Sequence, residues 1–450
     1  MNRAFAEQSP ALVLAERIAA DLNAGNHVPG EVVASLPALY ARHNVGRPVL
    51  RQALRILEER GVAALRRGAG GGLVALPPSP AYAGRALSIV IESGLQDLAD
   101  MGLLLEAIDS YFYLHHVPRL SPADCEQLRD LVRRFNRLSD EEFVKVKAHH
   151  QLAVAIRAAV GDPVIALLEK AAYECALDLI PYSVTLRNDR RDSPAWQVTL
   201  DTVEALVAGD TARLLDCQKR QRAIMEASWG ADAEPALVGE GFGGGRDYLN
   251  ARSQAERIVR EILRDIRRLN WVAGERISSA VDLVRRFRTT PDAVRQAVII
   301  LQQYGVIAVE KGRGGGLYVA TLDRAGMLDA ARGYLGAAGV GASAKPLGGV
   351  LLHLGLTAMV DAERRAPGSL ARAAGLRSDA SVNVQGNGTA ALLAQLCGNS
   401  VFATLVEMAT PWLAAIGGHE HDRALLAALA AGDLALARRW WMDACRAVLG

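Results

Sequence analysis

The sequence predicts a mostly α-helical protein in which one small helix-and-hairpin unit occurs twice, each copy followed by an all-helical segment. The first observation is a repeat, because residues 14–74 align without a gap on residues 258–318. The second is composition, because aromatic residues make up only 5% of the chain, which favours helix over sheet. The third is length, because 450 residues exceed what one hydrophobic core usually serves.

The two copies of the repeat carry identical residues at corresponding positions along their whole length. These are Ile18/Ile262, Asp21/Asp265, Gly30-Glu31/Gly274-Glu275, Ser35/Ser279, Leu39/Leu283, Arg42/Arg286, Arg51-Gln52-Ala53/Arg295-Gln296-Ala297 and Gly61-Val62/Gly305-Val306. Both copies end in a glycine-rich stretch, RRGAGGGLV in the first and EKGRGGGLY in the second. A constant offset over about 60 residues indicates a duplicated domain.

Each copy reads as a helix, a helix–turn–helix and two short strands. In the first copy, LVLAERIAADLNAG predicts a helix, and SLPALYARHN predicts a second with Ser35 as its N-cap. PVLRQALRILEERG predicts the third helix, with Pro48 in its first turn and Gly61 at its C-terminal end. Its apolar face consists of Leu50, Ala53, Leu54 and Leu57. VAALRR and GGLVAL then form a hairpin around residues 68–72.

The second copy repeats this order, with Thr290 as N-cap and Pro291 in the first turn of the third helix. LPPSPAYAG (76–84) predicts a proline-rich joint, and the two later helical segments resemble each other, as in GDPVIALLEKA and GNSVFATLVEM. The predicted domains are 10–76, 86–228, 251–320 and 326–449, with a glycine-rich linker at 229–250.

Charge is distributed unevenly along a chain whose formal net charge is only +2. Residues 10–76 carry +3 and residues 251–320 carry +6, which leaves −7 for the rest of the chain. Basic repeats beside acidic helical segments indicate that the repeats meet an anion.

Compartment and redox state follow from what the sequence lacks. It has no run of about 18 apolar residues, and its first ten residues lack a signal-peptide core, so neither a membrane span nor export is expected. Its five cysteines are widely spaced and form no C-x-x-C pattern. A reducing cytoplasm therefore fits better than a disulfide framework or a zinc module.

The repeat resembles the winged helix-turn-helix DNA-binding domain of the GntR family of bacterial transcription regulators. The resemblance lies in the Gly30-Glu31 turn, in VGRPVLRQALRILEERGVAALRRGAGGGLV and in its second copy. The helical segments are similar to the FCD effector domain of the FadR subfamily through the patterns GNxxxxxLxE and AxxAGDxxxA. The resemblance implies two winged domains, each with a small β-hairpin wing, in tandem with two all-α FCD-like bundles.

The resemblance also implies which residues contact DNA. Arg51 and Arg295 occupy the recognition-helix arginine, whose guanidinium can bridge guanine O6 and N7 or clamp a phosphate. Arg47 matches an arginine at the helix entrance, where the second copy has Pro291 with Arg288 just before it. Wing glycines let the backbone approach the minor groove. The implied set is Arg47, Arg51, Arg66, Arg67, Gly70, Arg288, Thr290, Arg295, Lys311, Arg313 and Gly314. The alternative is that these arginines form only a solvated helix face.

Many FCD domains hold a metal ion with an aspartate and a histidine one helical turn apart and two later histidines. The corresponding positions here are His149, Ala153, Thr199 and Gln221 in the first copy, and Gly386, Ala390, Asp422 and Ala444 in the second. Neither copy keeps a ligand set, so we expect no metal and no cofactor. The pairs His115-His116 and His149-His150 leave open a new imidazole site. Structural histidines are the alternative, because adjacent helical residues point in different directions.

No nucleophile–base arrangement is present, so we expect no enzyme activity. The sequence predicts a cytoplasmic transcription regulator whose partners are double-stranded DNA and a small-molecule effector. One chain is expected to act as a pseudo-dimer on an imperfect palindrome, and further association of two chains stays open. The rival hypotheses are a degenerate sensor of a ligand or protein partner, and a nonspecific DNA-binding protein.

Overall fold

The computed structural model is mostly helical. It describes residues 10–24, 27–68, 70–77, 79–95, 99–179, 190–230, 254–310, 315–340, 345–378, 388–412 and 419–449. Lys311, Arg313, Gly314, Gly386 and nearly all of the predicted linker lie outside these residues. No helix within the described ranges is long and apolar enough to cross a membrane.

The chain divides into two compact units, and each unit combines two distant parts of the sequence. The first unit comprises Met1–Ala86 and Gly241–Ala330, and therefore holds both copies of the repeat. The second unit comprises Leu87–Glu240 and Ala331–Gly450, and holds both helical segments.

The first copy of the repeat contains three helices and a three-stranded antiparallel sheet in the order β1-β3-β2. Its elements are α1 (Pro10–Ala24), β1 (Val32–Ala34), α2 (Leu36–His43), α3 (Arg47–Glu59), β2 (Ala63–Arg66) and β3 (Gly72–Ala75). The Ser35 hydroxyl accepts a hydrogen bond from the Ala38 N–H, which confirms the predicted N-cap of α2.

The second copy has the same element order and a sheet in the order β4-β6-β5. Its elements are α12 (Gln254–Arg268), β4 (Arg276–Ser278), α13 (Ala280–Phe287), α14 (Pro291–Gln303), β5 (Ile307–Glu310) and β6 (Gly316–Val319). The prediction of only two strands per copy is wrong, because β1 and β4 each add a third. A three-residue strand is too short to show the alternation by which strands are recognised in sequence.

The core of the first copy lies between α1, α3 and the sheet. Leu50, Ala53, Leu54 and Leu57 are all buried, which confirms the predicted apolar face of α3. Ile18 of α1, Leu39 of α2 and Leu73 of β3 belong to the same cluster. Burying this face turns the opposite side of α3 towards solvent.

The second unit is built from helices, and the first helix of each segment begins several residues before the boundary of the unit. Those of the first segment are α4 (Pro80–Gly94), α5 (Ala99–His115), α6 (Pro122–Asn136), α7 (Asp140–Lys145), α8 (Ala148–Ala158), α9 (Pro163–Leu179), α10 (Pro194–Ala208) and α11 (Thr211–Gly230). Those of the second segment are α15 (Arg324–Ala337), α16 (Lys345–Arg365), α17 (Ser369–Ser378), α18 (Gly388–Cys397), α19 (Ser400–Ala409), α20 (His419–Ala430) and α21 (Leu434–Leu449).

Helices α5 and α16 bring the two helical segments together. The ring of Tyr111 on α5 lies so close to Gly349 on α16 that a Cβ atom at Gly349 would overlap it. Arg222 of α11 pairs with both Glu106 of α5 and Asp361 of α16, where the Nη2–Oδ1 distance is 3.4 Å. The two segments therefore share an interface that contains both close packing and ion pairs.

The predicted proline-rich joint is shorter than the sequence indicated. Helix α4 begins at Pro80, inside the stretch 76–84. Proline is accepted in the first turn of a helix because the N–H that it lacks has no helical partner there. The prolines thus mark a helix start as well as a connection.

Candidate nucleic-acid interface and ligand cavity

Three arginines lie on the solvent side of α3. Arg47 is its first residue, Arg51 follows one turn later and Arg55 another turn later, and all three side chains are exposed. Residues four apart are neighbours on a helix surface, so the guanidinium groups form one row. Such a row offers planar donors to phosphates or to guanine edges.

The first wing is a tight turn held by glycine. Gly68 and Gly70 have φ values of +100° and +74°, in the left-handed region that glycine enters without steric cost. The Arg66 guanidinium donates to the Gly70 carbonyl oxygen at 3.4 Å. Arg66 and Arg67 remain exposed, so the wing presents two cations beside the turn.

The corresponding helix of the second copy, α14, begins differently. The Thr290 hydroxyl accepts a hydrogen bond from the Ala293 N–H at 3.3 Å, which confirms Thr290 as the N-cap. Arg295 is exposed, but its Nη1 lies 2.5 Å from Asp292 Oδ1. The carboxylate next to Arg295 lowers the positive potential that this helix presents.

Arg288 stands in the turn before α14. Its φ of 45° is left-handed, and it ends α13, just as Asn44 with φ 46° ends α2 in the first copy. Its side chain is exposed two residues from Thr290. The turn geometry is therefore shared, and only the second copy places a guanidinium there.

Within the first unit, α3 and α14 line one cavity of about 530 Å³. Arg55 of α3 contributes from one copy, and Thr290, Arg295 and Gln296 of α14 contribute from the other. Arg55 was missed by the sequence analysis because its counterpart in the second copy is Ile299, so the comparison of shared residues passed over it.

Helix α4, which follows the first copy, also contacts the second copy through aromatic rings. Tyr82 and Tyr304 stack with ring centroids 5.2 Å apart, and the Arg60 guanidinium lies 5.0 Å above the Tyr82 ring. Ile299 packs against the core of the first copy. Direct packing of the copies explains how arginines from both line one cavity.

Residues 10–72 match the model of the family described as bacterial regulatory proteins, gntR family. The match covers the first copy of the repeat and supports a DNA-binding transcription regulator. No curated protein matches the chain.

A second candidate site is a cavity of about 200 Å³ inside the first helical segment, between α5, α8, α9, α10 and α11. His149, Ala153, Thr199 and Gln221 all line it. These are the four positions that the FCD resemblance assigned to metal ligands, and the structure brings them together. Their chemistry does not suit a metal, because Ala153 has no donor atom and the Thr199 hydroxyl donates to the Ala195 carbonyl oxygen.

Arg157 lies half-buried at the wall of this cavity between two carboxylates. Its Nε is 2.8 Å from Asp109 Oδ1, and its Nη1 is 3.1 Å from Glu169 Oε1. Burial raises the pKa of Glu169, and the Arg157 guanidinium opposes that shift. Sequence reasoning missed this group, although a single arginine in the apolar stretch LAVAIRAAV was a signal for it.

The two histidines of α8 are neutral at pH 7. Burial lowers the pKa of His149 to about 4 and that of His150 to about 3. The His150 ring stacks on Tyr173 with centroids 4.2 Å apart. Gln221 Oε1 is buried and has no hydrogen-bond partner among the described residues.

The other histidine pair does not form a metal site either. His116 Nε2 lies 3.1 Å from Asp162 Oδ2, whereas the His115 ring faces His353 of α16 at 5.8 Å. The described part of the chain contains no group of three or more His, Cys, Asp or Glu side chains that could hold a metal ion. The two neighbours serve separate contacts, as adjacent residues on a helix do.

Proposed function

We propose that this protein is a transcription regulator of the FadR type in which one chain supplies two winged helix-turn-helix domains. The observation that carries the proposal is the exposed arginine row of α3, which lies inside the segment that matches the gntR family. The second copy has the same strand order and an exposed Arg295, which supports a second DNA-binding domain.

DNA recognition would divide between the helices and the wings. Arg51 and Arg295 would contact base edges or phosphates in the major groove, with Arg47, Arg288 and Thr290 at the helix entrances. In the first wing Arg66 and Arg67 would hold phosphates beside Gly70. Lys311, Arg313 and Gly314 would do the same in the second wing.

The operator should be an imperfect palindrome read by an intramolecular pseudo-dimer. Both repeats belong to one compact unit and both helical segments to another, which is how a two-chain dimer distributes its domains. The two reading surfaces differ, because Arg47 in the first corresponds to Pro291 in the second. The second copy, with its charge of +6, should have the steeper salt dependence.

The cavity of the first helical segment would bind the effector. It lies between five helices and is lined by the four positions that the resemblance assigned to the FCD ligand site. An effector changes DNA affinity only if it binds more tightly to one of two states of the chain.

The test is specific DNA binding by the full chain. A site would be selected from random-sequence duplexes, mapped by footprinting, and titrated with Arg51→Ala, Arg295→Ala and a control, Arg446→Ala, on the exposed end of α21. Each recognition-helix variant should lose ~1–3 kcal/mol of binding free energy, and the control none. Wild-type affinity in both recognition-helix variants would overturn the assignment.

The second candidate function is nonspecific DNA binding. It is favoured by the pairing of Arg295 with Asp292, which would weaken the contact of the second copy with a specific DNA site. Specific binding would leave a discrete footprint at moderate salt, whereas nonspecific binding would lose affinity uniformly along the DNA.

A further inference from the structure

We propose that the effector of the first helical segment is a small N–H-donating molecule, neutral or cationic, with a flat apolar part, and not a carboxylate. The inference rests on the proposed effector role of the cavity. It comes from the charge, the free hydrogen-bonding groups and the shape of the cavity wall.

The charge of the cavity wall excludes a bound anion. The ionisable side chains that line it are Asp109, Tyr113, His149, His150, Arg157, Glu169, Tyr173 and Cys217. Only one of these is a cation at neutral pH, and the Arg157 guanidinium already binds both Asp109 and Glu169. The formal charges of Asp109, Glu169 and Arg157 add up to −1 when both carboxylates are ionised. They add up to zero when Glu169 is protonated.

Among the described residues that line the cavity, no second side chain offers a positive charge to an entering carboxylate. His149 and His150 are neutral because burial disfavours their charged forms. Lys170, on the helix that carries Glu169, pairs with Glu174 at 2.6 Å. An unpaired carboxylate transferred from water into this wall would lose its hydration without a compensating partner.

The hydrogen-bonding groups favour a ligand that donates. Gln221 Oε1 is buried without a partner among the described residues, and a buried acceptor gains stability when a donor reaches it. Asp109 and Glu169 each bind Arg157 through one carboxylate oxygen, so the second oxygen of each is a further acceptor. An ammonium or amide N–H satisfies such acceptors, and a carboxylate cannot.

The shape of the cavity fits a small ring. Its volume is about 200 Å³, and the stacked rings of His150 and Tyr173 provide an aromatic wall. Leu105 and Met225 contribute apolar surface. A cationic group beside the Tyr173 ring would gain cation–π attraction in addition.

The experiment compares three probes of one shape and different charge on the full-length protein. Benzylamine, benzyl alcohol and benzoate are titrated by calorimetry at pH 7.5 into the wild type, Glu169→Gln, and Glu204→Gln as the control. Glu204 is an exposed carboxylate of α10 that does not line the cavity. Benzylamine should bind ~10-fold or more tightly than benzoate, and Glu169→Gln should shrink that preference while the control retains it.

Gln221→Leu keeps the test valid if Glu169→Gln does not fold. It removes the unpartnered acceptor and should weaken benzylamine and benzyl alcohol without improving benzoate. The inference is overturned if benzoate binds as tightly as benzylamine, if no probe binds, or if neither variant changes the order. Specific DNA binding by a protein that binds no probe would overturn the ligand class alone. Probe binding without specific DNA binding would overturn the regulator and leave the cavity chemistry standing.

Discussion

The two copies of the repeat share a framework but differ at the surface that would meet DNA. Both have a three-stranded sheet of the same order, and both begin their second helix with a serine cap, Ser35 or Ser279. Leu57 and Leu301, which correspond to each other, are both fully buried. Positions that build the fold have therefore kept their chemistry, while the start of the third helix has diverged.

At the start of the third helix, the second copy has lost an arginine and gained a side-chain cap. In α3 the cap is Gly46, which offers no side-chain hydrogen bond, and Arg47 follows it. In α14 Thr290 caps the helix, and Asp292 stands in the first turn, where a carboxylate interacts favourably with the helix dipole. The second helix start is the more stable of the two, and the first is the more electropositive.

The largest expected difference between the copies is in how much an ion pair that both share contributes to stability. Arg42 Nη2 lies 3.0 Å from Asp21 Oδ2, and Arg286 Nη1 lies 2.6 Å from Asp265 Oδ2. The Asp21 side chain is 42% exposed, whereas that of Asp265 is only 8% exposed. Arg286→Ala strands a buried carboxylate and should lower the free energy of unfolding by about 2 kcal/mol. Arg42→Ala should cost less than ~1 kcal/mol.

Urea titration of the full chain measures both values. Adding Asp265→Asn to Arg286→Ala should recover part of the loss, because the charge without a partner is then gone. Equal losses for Arg42→Ala and Arg286→Ala would show that the burial of Asp265 does not set the strength of the pair.

The next difference concerns DNA affinity. Asp292→Asn removes the carboxylate that pairs with Arg295 and should strengthen DNA binding about threefold, since an exposed pair of this kind is worth less than ~1 kcal/mol. The matched control is Asp282→Asn, in the first turn of α13, whose carboxylate accepts from Ser279 and not from a recognition-helix arginine. Filter binding on the selected operator at several salt concentrations gives both affinities. A loss of affinity in Asp292→Asn would mean that Asp292 positions Arg295 for its contact.

The sequence predicted those features of the fold that a few neighbouring residues specify. The caps Ser35 and Thr290, the proline in the first turn of each third helix and the apolar face of α3 are each written within a few neighbouring residues, and the structure confirms them. Strand β1 was missed because it is three residues long and is paired by β3, which lies about 40 positions away.

The candidate sites depend on contacts between distant segments, and these leave little trace in one sequence. Arg157 meets Asp109 from another helix, and Arg55 faces a helix of the other copy. The resemblance to the FCD domain did predict that His149, Ala153, Thr199 and Gln221 would lie together. The distances between these residues along the chain do not by themselves predict that all four line one cavity.

The smallest expected difference concerns the helix caps themselves. Gly46→Thr should raise the free energy of unfolding by ~0.3 kcal/mol, and Thr290→Gly should lower it by a similar amount, because threonine and glycine differ by only a few tenths at this position. The new hydroxyl at position 46 would accept from the Val49 N–H, as Thr290 accepts from Ala293. Space permits it, since a Cβ atom at Gly46 meets only Pro48 Cδ at an ordinary 3.7 Å.

Gly46→Ala is the control that separates the effect of the cap from the effect of backbone entropy. Alanine lowers the backbone entropy of the unfolded chain as threonine does, but it cannot accept the hydrogen bond. Thermal unfolding of the three variants should rank threonine above glycine and glycine above alanine at position 46. An alanine variant as stable as the threonine variant would show that backbone entropy, and not the cap, separates the two helix starts.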